Sequence, residues 1–141
     1  MNSVILQIAE KYIRWLLLFF AFTALLRGHH FPGGGFIAGL LAGLAVVFRS
    51  LSYSEEKVFR DFPVRPVTLL SAGLIMILLS FFPAWLTNRP FMAGVWVKPV
   101  LPLAGELKLG TPLVFDTGLF LSVTGVILLF LFSLKIPEKW K

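Results

Sequence analysis

The stretch "RGHHFPGGGFIAGLLAG", Arg27 to Gly43, decides what kind of fold this chain adopts. Its centre, Gly33-Gly34-Gly35-Phe36-Ile37-Ala38, matches the dinucleotide pattern G-x-G-x-x-A. Glu55 even lies about 20 residues on, where a ribose-binding acid would stand. That reading needs a strand before the glycines, inside a βαβ unit, and here a hydrophobic helix precedes them. No Lys-Ser or Lys-Thr follows, so the segment is not a phosphate loop either. Packing accounts for more of it. Gly35, Gly39 and Gly43 recur every fourth residue with Ala38 and Ala42 beside them, which places one strip of small residues along a helix. Such a strip lets a neighbouring backbone come close, and close packing drives helix association where lipid supplies no hydrophobic force. Pro32 suits a first helical turn, and Gly33 and Gly34 tolerate unusual backbone angles. The segment therefore reads as a tight turn feeding a docking helix.

The rest of the composition points the same way. The chain has 141 residues, 57% of them hydrophobic and 14% charged, with a mean hydropathy of +0.87. A soluble domain of this size keeps a more polar surface, so lipid is the expected solvent. The net charge of +6 then marks cytoplasmic loops and contacts with phospholipid head groups rather than nucleic acid. There is no cysteine, which excludes disulfides, thiolate metal sites and cysteine nucleophiles.

Four apolar segments stand out, Tyr12–Leu26 (extendable toward Val4 on a more mixed sequence), Gly33–Phe48, Val67–Leu86 and Leu113–Leu134, giving spans at about 5–26, 33–53, 67–86 and 113–134 with their flanks. The expectation is an all-α integral membrane protein, a single four-helix domain over residues 1–141. No A-x-A-like site follows the first segment, so it reads as an uncleaved helix rather than a signal peptide. Lys11, Arg14, Arg49, Lys57, Arg60, Arg65, Lys135, Lys139 and Lys141 fall on one side, nine basic residues against Arg27, Arg89, Lys98 and Lys108 on the other. This bias predicts cytoplasmic N- and C-termini. The long connection between the third and fourth helices is then an outer loop. "GVWVK" (Gly94 to Lys98) and "ELKL" (Glu106 to Leu109) alternate in it at period two around a turn-rich "PVLPLAG", which suggests a short hairpin.

Few polar residues are candidates for a site. Two adjacent histidines point in different directions and no third ligand stands near them, so no metal is expected. Arg27, His29, His30, Pro32, Gly33, Gly34, Gly35 and Phe36 are instead read as outer-loop contacts to a partner. Asp116 is the only acid assigned to an apolar segment. An ionisable group there is a functional candidate by default, for an ion path or for anchoring a partner. Thr111 and Pro112 look like a cap and first turn, which would place Asp116 near the positive end of the helix dipole. Gly118, Ser122 and Gly125 add small residues for helix packing on the same segment. Neither a nucleophile with a base nor a cofactor motif is found, so no enzyme and no cofactor are expected. One carboxylate does not make a proton pump, so the chain is expected to work within a larger complex.

"RGHHFPGGGFIAGL" after a first apolar helix, with "GTPLVFDTGLFLSVTGVIL" in the last, resembles the B subunit of the Mrp (also called Mnh) multisubunit sodium/proton antiporter. The likeness covers essentially the whole chain. The family often has Asn where this chain has His30, and Gly where it has Ala38. The resemblance implies a bacterial cytoplasmic membrane and a complex exchanging sodium for protons. It implies large antiporter-like A and D subunits and small C, E, F and G subunits as partners. The implied role within that complex is assembly, with a contribution to the ion route left open. A related subunit of a membrane-bound hydrogenase-type complex is the alternative.

Overall fold

The computed structural model describes residues 4–27, 33–53, 55–62, 64–86, 90, 94, 96–97, 100–101, 105–106 and 109–135. Four long helices make the body: α1 (Val4–Arg27), α2 (Gly35–Ser52), α4 (Pro66–Leu86) and α5 (Thr111–Lys135). A short helix, α3 (Glu55–Asp61), lies between α2 and α4; the sequence pattern does not suggest it. Each long helix begins and ends within two residues of its expected span, and in α2, α4 and α5 a run of side chains that avoid water leaves the backbone only itself to bond to.

Helices α2, α4 and α5 are long and apolar enough to cross a membrane. Helix α1 is not among them: its 24 residues reach about 36 Å, but Glu10, Lys11, Arg14 and Arg27 interrupt its apolar surface. This corrects one expectation. Asp116 is not the only acid on a long helix, because α1 starts at Val4 and carries Glu10 inside it. The sequence before Tyr12 is more mixed than an apolar segment, yet the helix continues through it.

The helices stand in a row, α1 beside α2, α2 beside α5, α5 beside α4. Contacts along each seam fix their directions. Gly34 of the first turn donates its N–H to the Ala24 carbonyl at 2.9 Å, and at the other end the Ser52 hydroxyl lies 3.5 Å from the Leu6 carbonyl, so α1 and α2 are antiparallel. Gly35 faces Asp116, Gly39 faces Phe120 and Val123, and Gly43 faces Ile127, so α2 and α5 run parallel. Gly125 faces Leu70 while Gly118 faces Gly73 and Ile77, so α5 and α4 are antiparallel.

Burial is inverted relative to a water-soluble bundle. The buried positions include Ala21, Ala38, Ala42, Ala45, Ala84, Ser50, Ser52, Ser80, Ser122 and Thr124, while Trp15, Phe19, Phe22, Leu78, Trp85 and Phe130 are exposed. Small residues inside and bulky apolar residues outside is what lipid selects, since it rewards close backbones and does not penalise exposed leucine or phenylalanine. The buried hydroxyls of Ser50, Ser52, Ser80 and Thr124 donate to carbonyls three or four residues back in their own helices, at 2.6–3.0 Å.

Four short strands connect α4 to α5: β1 (Trp96–Val97), β2 (Val100–Leu101), β3 (Gly105–Glu106) and β4 (Leu109–Gly110). Trp96 pairs with Gly110, Val97 with Leu109, Val100 with Glu106 and Leu101 with Gly105, all antiparallel and in one register. The two ladders are therefore parts of one hairpin. Val100, Leu101 and Gly105 of its inner ladder fall inside "PVLPLAG", which the sequence pattern by itself gives wholly to the turn.

Candidate functional site

Helix α5 is gripped on two faces. Toward α2 it presents the backbone of Asp116 and Phe120 and the side chains of Val123 and Ile127. A Cβ added at Gly35 would stand 2.7 Å from the Asp116 carbonyl carbon and 2.9 Å from its Cα. One added at Gly39 would stand 2.8 Å from Val123 Cβ and 2.9 Å from the Phe120 carbonyl oxygen. At Gly43 the neighbours are Ile127 atoms, with Cγ2 at 2.9 Å and Cβ at 3.0 Å. Toward α4 backbone again meets backbone. A Cβ at Gly118 would meet the Gly73 carbonyl oxygen at 2.8 Å and the Ile77 nitrogen at 2.9 Å, and one at Gly125 would meet the Leu70 nitrogen at 2.7 Å. Ser122 sits between these glycines, its hydroxyl buried without a hydrogen-bond partner.

Gly33 and Gly34, just ahead of α2, lie against α1. Gly34 caps α2 at φ 99°, a left-handed angle that a side chain disfavours. A Cβ at Gly33 would stand 2.8 Å from the Ala24 carbonyl oxygen. Arg27 ends α1 and is exposed, as is Phe36 on the first turn of α2. His29, His30 and Pro32 lie outside the described residues. Asp116 is partly buried on α5. It is the sixth residue of the helix, in the second turn, beyond the first turn where the helix dipole acts most strongly. What the structure does bring together is Asp116 and Gly35: the acid's backbone is the surface on which α2 begins.

Residues 5–129 match the family model described as the domain related to the MnhB subunit of Na+/H+ antiporter. The chain belongs to the MnhB family. It is 34% identical over 125 residues to the B subunit of the Na(+)/H(+) antiporter of Bacillus subtilis (strain 168), covering 89% of this chain and 87% of that one. It is 30% identical over 134 residues to the putative antiporter subunit mnhB2 of Staphylococcus aureus (strain Newman), covering 95% of each. Among solved structures it is similar to a chain of the Mrp complex from Dietzia sp. DQ12-45-1b, with a TM-score of 0.73 and 25% identity. That match covers 99% of this chain but only 16% of the other, which is a much longer polypeptide.

Two features of this MnhB-family chain are not apparent from its sequence pattern. Gly73, alone on α4 with no glycine one turn away, is the partner of Gly118 and Ser122. Nothing in the local pattern marks it; only its neighbours across the seam do. The second is Glu10, 2% exposed, with Oε1 lying 3.2 Å from Arg14 Nε and 3.8 Å from an Arg49 nitrogen. Glu10 and Arg14 have the i, i+4 spacing of a helical ion pair, a signal that the sequence does carry. The third member is 39 positions away.

Proposed function

We propose that this chain is a small integral membrane subunit of a multisubunit Na+/H+ antiporter, and that its own task is structural. Its glycine seams set a fixed four-helix plate against which larger subunits assemble. The observation that carries the reading is the inverted burial: α5 is held by glycines on both faces while bulky apolar side chains of α1 and α4 point outward, a surface suited to lipid and to other subunits. The names of its relatives supply the rest. A protein named as one subunit of an antiporter works with others, and the similar chain belongs to a complex. The chain is a transporter component with no catalytic chemistry of its own, resident in a bacterial cytoplasmic membrane. In this reading α1 is the fourth span, its Glu10, Lys11 and Arg14 shielded by neighbours or close to the head groups. Affinity purification of the tagged chain in mild detergent tests it: larger membrane proteins should co-purify in fixed ratio. Recovery of this chain alone, from membranes that retain antiport, would overturn the assignment.

Both termini are placed in the cytoplasm. The nine-to-four basic asymmetry supports the cytoplasmic side; that the start of α1, the end of α2 and the end of α5 lie at one end of the plate supports only a common side for the two termini. A C-terminal alkaline phosphatase fusion is expected to stay silent, and the same reporter inserted between α4 and α5 to be active. The reverse pattern would invert every loop.

Asp116 is read as an anchor rather than an ion carrier. Its backbone lies in the α2 seam, so substitution must keep the helix in place before any question of charge arises. Asp116→Asn keeps size and most hydrogen bonding, and such bonds are worth about 0.5–1.5 kcal/mol each. The Asn variant should assemble and retain more than about half its antiport, while Asp116→Leu, which strands polar partners, should assemble poorly. Antiport in everted vesicles, normalised to assembled complex, decides. A fully assembled but inactive Asn variant would put Asp116 on the ion path.

A further inference from the structure

At the end of the plate away from the glycine turn, four charged side chains from three helices form a continuous line. Glu10 on α1 is the innermost, its side chain 1% exposed. Arg14, one turn later, is 28% exposed, and Arg49 on α2, 18% exposed, also faces Glu10. The other terminal nitrogen of Arg49 pairs with Asp61 of α3, whose side chain is 39% exposed. Around them, the Arg49 guanidinium lies 5.3 Å from the centre of the Tyr53 ring, and Lys57 Nζ lies 4.2 Å from the same ring. Two carboxylates and two guanidiniums balance. Helix α3 has only seven residues and one described apolar side chain tucked inward, Val58 at 2% exposed. So short a helix is marginal by itself and needs tertiary contacts to stay in place.

We propose that Glu10, Arg14, Arg49 and Asp61 form a salt-sensitive latch, with Arg49 as its pivot. The inner pairs with Glu10 fix α1 on α2. The outer pair with Asp61 holds α3, and with it the connection into α4, against the plate. The two halves respond differently to ionic strength. Exposed pairs are screened by salt, buried ones far less. Raising salt on this side therefore loosens α3 while the α1–α2 seam stays closed. Glu10 is the positioning residue: neither of its oxygens accepts a directed hydrogen bond, so its own hold on the two guanidiniums is electrostatic, and Arg49 reaches Asp61 from that position. The latch requires nothing of the antiport reading; it needs only the chain's own helices.

The absence of cysteine in the sequence makes the test direct. In the assembled, detergent-purified complex, Val58→Cys gives this chain a single thiol under α3, read as the mass a maleimide adds to this chain. Rates are divided by those of free cysteine at the same KCl concentration. Labelling should be slow at about 50 mM KCl and roughly three- to tenfold faster at about 1 M. Asp61→Asn, added to the probe, should give the fast rate at both concentrations, and Asp61→Glu should restore the slow rate at low salt. Glu10→Gln should accelerate labelling at low salt as Arg49 loses its fixed position. A parent rate that ignores salt, or an Asp61→Asn rate as slow as the parent's, would overturn the latch. Should the probe variant fail to assemble, hydrogen exchange over residues 55–62 of the unsubstituted complex replaces it, with protection at low salt and its loss at high salt expected, and salt-independent protection refuting the proposal.

Discussion

Gly35→Ala, a single added methyl group, is expected to reduce assembled complex to about a tenth or less, because overpacking costs about 1–3 kcal/mol and each 1.4 kcal/mol is about tenfold. The new carbon would collide with the carbonyl oxygen of Asp116 and stand 2.7 Å and 2.9 Å from the carbon and Cα behind it. These are backbone atoms of α5. They have no rotamer to change, so relief requires α2 and α5 to separate. Separation would also open the contact at Gly39, where the Phe120 carbonyl is the next backbone obstacle. Gly35 is not among the residues with positive φ, so its own backbone tolerates alanine and the whole effect is between helices. The position eight residues along provides the contrast. The atoms nearest a methyl at Gly43 belong to the Ile127 side chain rather than to backbone, and a side chain yields more readily than a carbonyl, so Gly43→Ala should leave more of the complex intact than Gly35→Ala. The measurement is the amount of this chain that co-purifies per large subunit, with the melting temperature of the complex as a second reading. Equal assembly of the two variants would mean that the seam is not what holds α2, and the proposed structural role would lose its support.

The sequence makes the seam on α2 legible and hides most of what it packs against. Glycines at every fourth residue on one apolar helix announce a strip before any partner is known, since the helical repeat alone places them on one face. The helices themselves are legible for a similar reason: apolar runs of bilayer length have little alternative in lipid. The order of the row is not. That α5 lies between α2 and α4, leaving α1 at the edge, depends on which side chains fit, and the runs look alike in composition. Glu10 is hidden because the mixed stretch before Tyr12 does not resemble an apolar span, and its burial depends on Arg49, 39 positions away. Helix α3 is hidden because seven residues with four charges among the first six carry no helical pattern of their own; tertiary contacts hold it. Asp116 is legible by its charge, but the close approach of its backbone to Gly35 is not.

Gly73 is the least legible residue of the seams yet meets backbone closely, and Gly73→Leu is expected to reduce the steady-state amount of chain in the membrane by about tenfold or more. A Cβ there would meet the Gly118 carbonyl oxygen at 2.5 Å and the Ser122 nitrogen at 2.6 Å, besides the Ser122 hydroxyl. The contact is reciprocal, since a Cβ at Gly118 would meet the Gly73 carbonyl oxygen and the Ile77 nitrogen. Backbone lies against backbone in both directions, so the crossing of α4 and α5 needs glycine on each side. This predicts a specific non-additivity. Gly73→Ala and Gly118→Ala should each be costly, yet the double variant should be hardly worse than either, because the first methyl already opens the gap that the second would fill. Residues sharing one contact typically show interaction energies of about 0.5–3 kcal/mol in such a cycle. Ser80→Ala serves as the control on the same helix. Its buried hydroxyl only donates to the Ile77 carbonyl within α4 at 2.6 Å, so its removal should change little. Chain abundance and thermal stability of the extracted complex would be followed for all of these variants. If the two alanine effects simply add, the glycines act at separate places, and Gly73 and Gly118 do not form the crossing point of α4 and α5.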